Sequence, residues 1–183
     1  MRKLLLSTIV LAAASLPGAG RAGEAYDAHA ADRAEIQDLQ ARYMFALDWQ
    51  DADAYAATFT EDGVLDWAGG VVHGRAAIHQ EVERMRSMFA QPAGATARPA
   101  RLRHFVTNVV LEFNGDRATG RAYWLELNDD NRPRWPYVGG YGTYEDELRK
   151  VNGRWLFSRR KIYNEILEGR MTGAQNPVAG MHP

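Results

Sequence analysis

The chain has 183 residues, 22 Lys and Arg against 23 Asp and Glu, and no cysteine. A formal net charge of −1 with no long basic run gives no field for gripping phosphate backbones, so nucleic acid is not an expected partner. The missing thiols exclude disulfides, thiolate zinc sites and a cysteine nucleophile, which leaves stability to the packing of one domain-sized core.

Residues 1–22 read as a secretory signal. Arg2 and Lys3 precede an almost wholly apolar run from Leu4 to Leu16, and Gly20, Arg21 and Ala22 offer small residues around a cut. The run is shorter than the roughly 20 residues of a spanning helix. No stable membrane anchor is expected, and the mature chain is expected to be periplasmic or secreted. Residues 23–30 read as a flexible leader, 31–168 as the single domain and 169–183 as an extended tail.

Ile36, Leu39, Tyr43 and Leu47 recur at helical spacing behind Asp32 and Glu35, so a first helix is predicted to end near Asp48. Asp51 or Asp53 caps a second, short helix carrying Tyr55 and Phe59, and Glu61-Asp62-Gly63 supplies a turn. Residues 64–67 and 71–73 flank Gly69-Gly70 as a hairpin. A third helix follows over 75–89, with Ile78, Val82, Met85 and Phe89 on one face. The Ala-, Pro- and Gly-rich stretch 91–100 reads as a loop beside the entrance to whatever lies beneath.

Beyond it the pattern becomes β-branched and aromatic. Antiparallel strands are predicted over 101–113, 117–127, 137–151 and 154–165, with turns at Asn114-Gly115-Asp116 and Asn152-Gly153 and kinks at Gly139, Gly140 and Gly142. Helices first and strands afterwards give an α+β fold: a cone-shaped barrel in which N-terminal helices pack on a strongly curved antiparallel sheet and enclose a pocket. Alternation along the first long strand puts Leu102, His104, Val106 and Asn108 on one face and Phe105, Thr107, Val109 and Leu111 on the other. A histidine so placed reads either as a hydrogen-bonded core residue or as a base, and Asp48 either as a turn residue or as its partner.

The text Ile36-Gln37-Asp38-Leu39, Arg42-Tyr43, Leu47-Asp48, Phe59-Thr60-Glu61-Asp62-Gly63 and Gly74-Arg75-Ala76-Ala77-Ile78 resembles the SnoaL-like branch of the nuclear transport factor 2-like superfamily. Its enzymatic members include scytalone dehydratase, the bile acid 7α-dehydratases and hexachlorocyclohexane dehydrochlorinase. The resemblance implies that Asp48 and His104 form a dyad that removes a proton from the substrate, with Tyr43 as a phenolic acid or oxyanion donor. Tyr43 also reads as a core aromatic, and Arg149, which matches a leaving-group arginine by place, also reads as a solvated hairpin charge. Asn108 is expected to orient a substrate oxygen, and Trp124, Tyr141 and Tyr163 to form pocket walls.

No paired ligand spacing joins His73 or His79 into a metal site, and no phosphate loop or dinucleotide fingerprint occurs, so neither metal nor cofactor is expected. The implied activity is a cofactor-independent lyase acting on a small cyclic or aromatic molecule, by loss of water or retro-aldol loss of a small aldehyde. An isomerase using the same dyad, a non-catalytic periplasmic binding protein for a hydrophobic small molecule, and a dimer-only scaffold remain open. A homodimer or homotrimer is expected, with Phe105, Val109 and Leu111 on the face to be covered.

Overall fold

A computed structural model describes residues 29–89, 101–129 and 135–182. The expected signal, most of the leader and the 91–100 loop lie outside the described residues. Helix α1 spans Ala30–Trp49 and buries Ile36, Leu39, Tyr43, Met44 and Ala46 on one side. It stops at Gln50, whose φ of 54° and ψ of 38° are left-handed. There the Gln50 N–H bonds Leu47 O at 3.0 Å and the Asp51 N–H bonds Ala46 O at 2.9 Å, a Schellman closure that fixes where the last turn ends. Asp51 then caps α2 (Ala52–Ala57), accepting the Ala54 N–H at 2.9 Å.

Phe59, expected on that helix, instead begins strand β1 (Phe59–Trp67). The helix ends at Thr58, whose Oγ1 turns back to Tyr55 O at 2.6 Å. Glu61-Asp62-Gly63, expected as a turn, lies inside β1, where pairing with its neighbour slips between Phe59 and Val64. A bulge absorbs these residues because Phe59 must stay in the core while the later residues rejoin the ladder. Strand β2 (Gly70–His73) closes the short hairpin, and α3 follows over Arg75–Phe89 as expected.

The long strands are β3 (Arg101–Asn114), β4 (Arg117–Asp129), β5 (Tyr137–Val151) and β6 (Arg154–Ile162). They form one six-stranded sheet in the order β2-β1-β6-β5-β4-β3. The sheet is mixed rather than all antiparallel: β1 runs parallel to β6, a pairing that the helix α3 and four strands between them in the chain allow. Ladder pairing of β6 ends at Ile162, short of the expected Glu165, although the Tyr163 and Glu165 N–H groups still bond Thr143 O and Tyr141 O at 2.9 Å. The chain then folds back, and Arg170 ties it down through Asp66 Oδ1 at 2.8 Å and Ile162 O at 2.7 Å.

One irregularity changes which side chains face inward. Pairing of β3 with β4 shifts between Thr107 and Val110, and Asn108 takes φ 56°. The extra residue reverses the alternation beyond it. Leu111, expected on the outer face with Phe105, is therefore in the core, Val109 packs against the core, and Asn108 is exposed. Phe105, Tyr123 and Tyr141 remain on the outer face, about half exposed.

A charged knot lies at the centre of the core. Arg160 and Asp146 are fully buried and joined by bonds of 2.8 and 2.7 Å, and Gln40 closes the ring by accepting from Arg160 and donating to Asp146 at 3.0 Å. The guanidinium stacks 4.2, 4.1 and 3.9 Å from the ring centres of Tyr43, Tyr144 and Phe157.

Candidate active site

The helices and the concave face of the sheet line a pocket of about 280 Å³, at the small end for small-molecule sites. Its walls are mostly apolar or aromatic, among them Leu65, Val82, Met85, Trp124 and Tyr144. Polar side chains that interrupt this surface include Gln50, His104, Glu126, Tyr43, Tyr55 and Asn164.

Asp48 sits in the last turn of α1, where the Schellman closure aims it at β3. Both of its carboxylate oxygens accept the His104 backbone N–H at 3.1 Å, and Oδ1 also meets His104 Nδ1 at 2.7 Å. One carboxylate thus holds the strand and the ring together. The side chains are 6% and 8% exposed, so water competes little for the contact. On the other side of the ring, Nε2 lies 3.3 Å from Oε2 of Glu126, which the antiparallel register places directly opposite His104. Burial pushes the His104 pKa down, but hydrogen bonds and charge from Asp48 and Glu126 outweigh it and raise it to about 9. The ring is therefore an imidazolium at neutral pH.

Tyr43 is fully buried, and its hydroxyl shares a 2.5 Å hydrogen bond with Tyr55. Burial raises the Tyr43 pKa against the pull of the Arg160 cation, and burial beside Tyr43 raises that of Tyr55 well above the ordinary value. Both phenols stay neutral. Their shared bond uses one hydroxyl hydrogen and leaves the other for a ligand.

Of the residues singled out from sequence, Asp48, His104, Tyr43 and Trp124 come together. The other four do not. Asn108 leaves the His104 face at the bulge and instead borders an outer groove between α1 and β3. Tyr141 falls on the outer face by strand alternation. Arg149 bonds Asp62 and, at 3.2 Å, Thr60, which makes it a tie between β5 and β1. The Tyr163 ring lies beside Lys161, while its backbone O accepts Trp124 Nε1 at 2.9 Å, so it steadies a wall residue without being one. Sequence reasoning missed Glu126, Tyr55 and Asn164. Glu126 carried only a partial signal, as a lone carboxylate in the Tyr123-Trp124-Leu125-Glu126-Leu127 stretch of β4.

The three glycines of β5 make room for this arrangement. A Cβ at Gly139 would fall on Glu126 Oε1, one at Gly140 would stand 3.1 Å from the Trp124 ring, and one at Gly142 would fall on the Tyr163 carbonyl oxygen. Gly142→Ala should thus push the 163–165 segment off β5 and cost about 1–3 kcal/mol, as overpacking typically does. A urea midpoint equal to that of the wild type would show that the segment has no fixed seat.

A family profile for the SnoaL-like domain matches residues 28–161. No curated protein matches the sequence. Among solved structures, a protein of unknown function with a cystatin-like fold from Nostoc punctiforme is 30% identical, with a TM-score of 0.63 over 75% of this chain and 93% of that one. The ActVI-ORFA protein of Streptomyces coelicolor is 28% identical, with a TM-score of 0.64 over 74% of this chain and 96% of that one. A putative scytalone dehydratase from Novosphingobium aromaticivorans shares the fold at 23% identity, with a TM-score of 0.63 over 85% of this chain and 99% of that one.

Proposed function

The chain belongs to the SnoaL-like domain family, and from that footing we propose that its cavity houses a cofactor-independent lyase that eliminates water from a small cyclic or aromatic substrate. The observation that carries the reading is a histidine held between two carboxylates at the wall of a mostly apolar pocket. The dyad of His104 and Asp48 keeps its place in this scheme, but the direction of proton flow is set by the charge on the ring.

At neutral pH the imidazolium already carries its proton, so the group ready to accept one from carbon is the Glu126 carboxylate. Glu126 removes the proton next to a substrate carbonyl, and the electron pair forms the new double bond as the carbon–oxygen bond at the neighbouring carbon breaks. His104 Nε2–H gives its proton to the departing hydroxyl, which leaves as water. The proton on Glu126 then crosses the 3.3 Å gap to Nε2 and restores the starting state. Asp48 stabilises the charged ring throughout, and the free hydroxyl hydrogen of the Tyr43–Tyr55 pair supports the developing oxygen anion. The same first step serves isomerisation, in which the proton returns to another carbon, or loss of a small aldehyde.

The test is turnover of β-hydroxyketones built on one or two fused rings, read as the rise of enone absorbance. Turnover is expected, with kcat/KM falling as pH climbs through about 9, because the acid is lost when His104 deprotonates. A rate that instead rises through that range would return the base to His104. No turnover across the panel, with ligand still bound, would make the cavity a binding site only. Stability follows the same pKa. A group whose pKa rises on folding contributes fully below its unfolded value near ~6.5 and loses that contribution as pH rises through about 9. The advantage of the wild type over His104→Gln in urea midpoint should shrink across that window.

A further inference from the structure

Asn164, just past β6, borders the cavity with one half of its amide committed and the other half free. Its Oδ1 accepts the Ile166 N–H at 3.1 Å, and its backbone N–H is held by Arg170 O at 2.8 Å. The amide orientation is thereby fixed. Nδ2 lies over Gly140, 3.6 Å from where a Cβ would stand, beside the Trp124 ring edge, and it donates to no acceptor among the described residues. Gly140 is the cross-strand neighbour of Glu126, so this free donor lies on the same strip of wall as the carboxylate.

Charge narrows what such a donor can hold. Among the described residues, the cavity wall contains Glu126 but no Lys or Arg. With Asp48 and Glu126 flanking a single imidazolium, the cluster stays negative. Arg160, one layer below, is already matched by Asp146. A carboxylate or phosphate ligand would be desolvated beside like charge. An uncharged ligand escapes that cost, and an oxygen on it satisfies the free amide hydrogens.

We propose that Asn164 is a specificity-determining residue, whose Nδ2 donates to a carbonyl or hydroxyl oxygen of an uncharged cyclic ligand and so selects oxygenated molecules over hydrocarbons, while the carboxylates beside His104 turn anions away. This rests on the lyase reading only for the choice of cavity. Where the oxygen is a ketone, the same bond draws electron density from the adjacent carbon whose proton Glu126 takes.

The experiment is calorimetric titration of the full chain with indanone, indane and indane carboxylate, repeated on Asn164→Asp and Asn164→Leu. The aspartate keeps the acceptor for Ile166 and removes the donor, so the local turn survives. Indanone is expected to bind the wild type more tightly than the carboxylate or plain indane does. Both variants should weaken indanone roughly 3- to 10-fold, the worth of one neutral hydrogen bond, while Asn164→Leu leaves indane unchanged. Equal indanone affinity in all three proteins, a carboxylate bound as tightly as the ketone, or no indanone binding would overturn the assignment. Intact ketone selectivity with an inert β-hydroxyketone panel supports Asn164 and removes the reaction instead.

Discussion

Glu126→Gln is expected to lower turnover of a β-hydroxyketone substrate by about 10²–10⁴-fold, the usual worth of a positioned base. Glutamine keeps the shape and can still accept the His104 Nε2–H, so the cavity should hold its form. It cannot take a proton from carbon. It also removes one of the two carboxylates that raise the His104 pKa, so the high-pH limb of whatever activity remains should move below about 9. The paired signature, a large rate loss with a shifted limb, separates this role from simple packing damage, which would lower the rate and leave the limb in place. Full activity in the glutamine variant would remove Glu126 from the reaction.

The largest expected effect on stability lies one layer below the cavity. Asp146→Ala leaves the Arg160 guanidinium fully buried without its counter-charge, and such breaks typically cost about 3–5 kcal/mol. Asp146 both supports the Arg160 cation and accepts from Gln40, so the whole ring opens at once. Replacing both charges, as in Asp146→Leu with Arg160→Met, should cost less than Asp146→Ala alone, because no unpaired ion is left behind. Urea denaturation of the single and double variants checks the ordering. A double variant that loses the sum of the two single losses would mean that the two charges act independently. Arg160 stacks on Tyr43 and Tyr144, which both line the cavity, so the single variant should also loosen ligand binding.

Much of this was legible in the sequence because it followed periodicity. The spacing of Ile36, Leu39 and Tyr43 gives α1 and its buried side, and the two turns, with Gly115 at φ 58° and Asn152 and Gly153 at 51° and 76°, set the long hairpins. The Asp48 and His104 pair was reached through family resemblance, and its short contact depends on where α1 ends. What escaped were features that break a period. Glu61, Asp62 and Gly63 have turn composition yet are held in a bulged strand, because Phe59 before them is fixed in the core. Glu126 escaped for a related reason: counted strictly from the Gly115-Asp116 turn, His104 would face Leu127. Only the extra residue at the β3 bulge brings the glutamate opposite. Tyr141 and Tyr163 read as walls by family position and aromatic character, neither of which fixes the side of a sheet on which a ring lies.

Asn108 therefore acts on the site at a distance, as a spacer. The chain of β3 contains two frames in which it can be matched to β4, and they differ in whether His104 meets a carboxylate in the cavity or a leucine on the outside. The left-handed backbone at Asn108, a conformation that asparagine tolerates and β-branched residues resist, stabilises the first frame. A change that abolished this conformation would exchange the carboxylate facing His104 for a leucine, and a comparison of folds alone would not tell the two cavities apart.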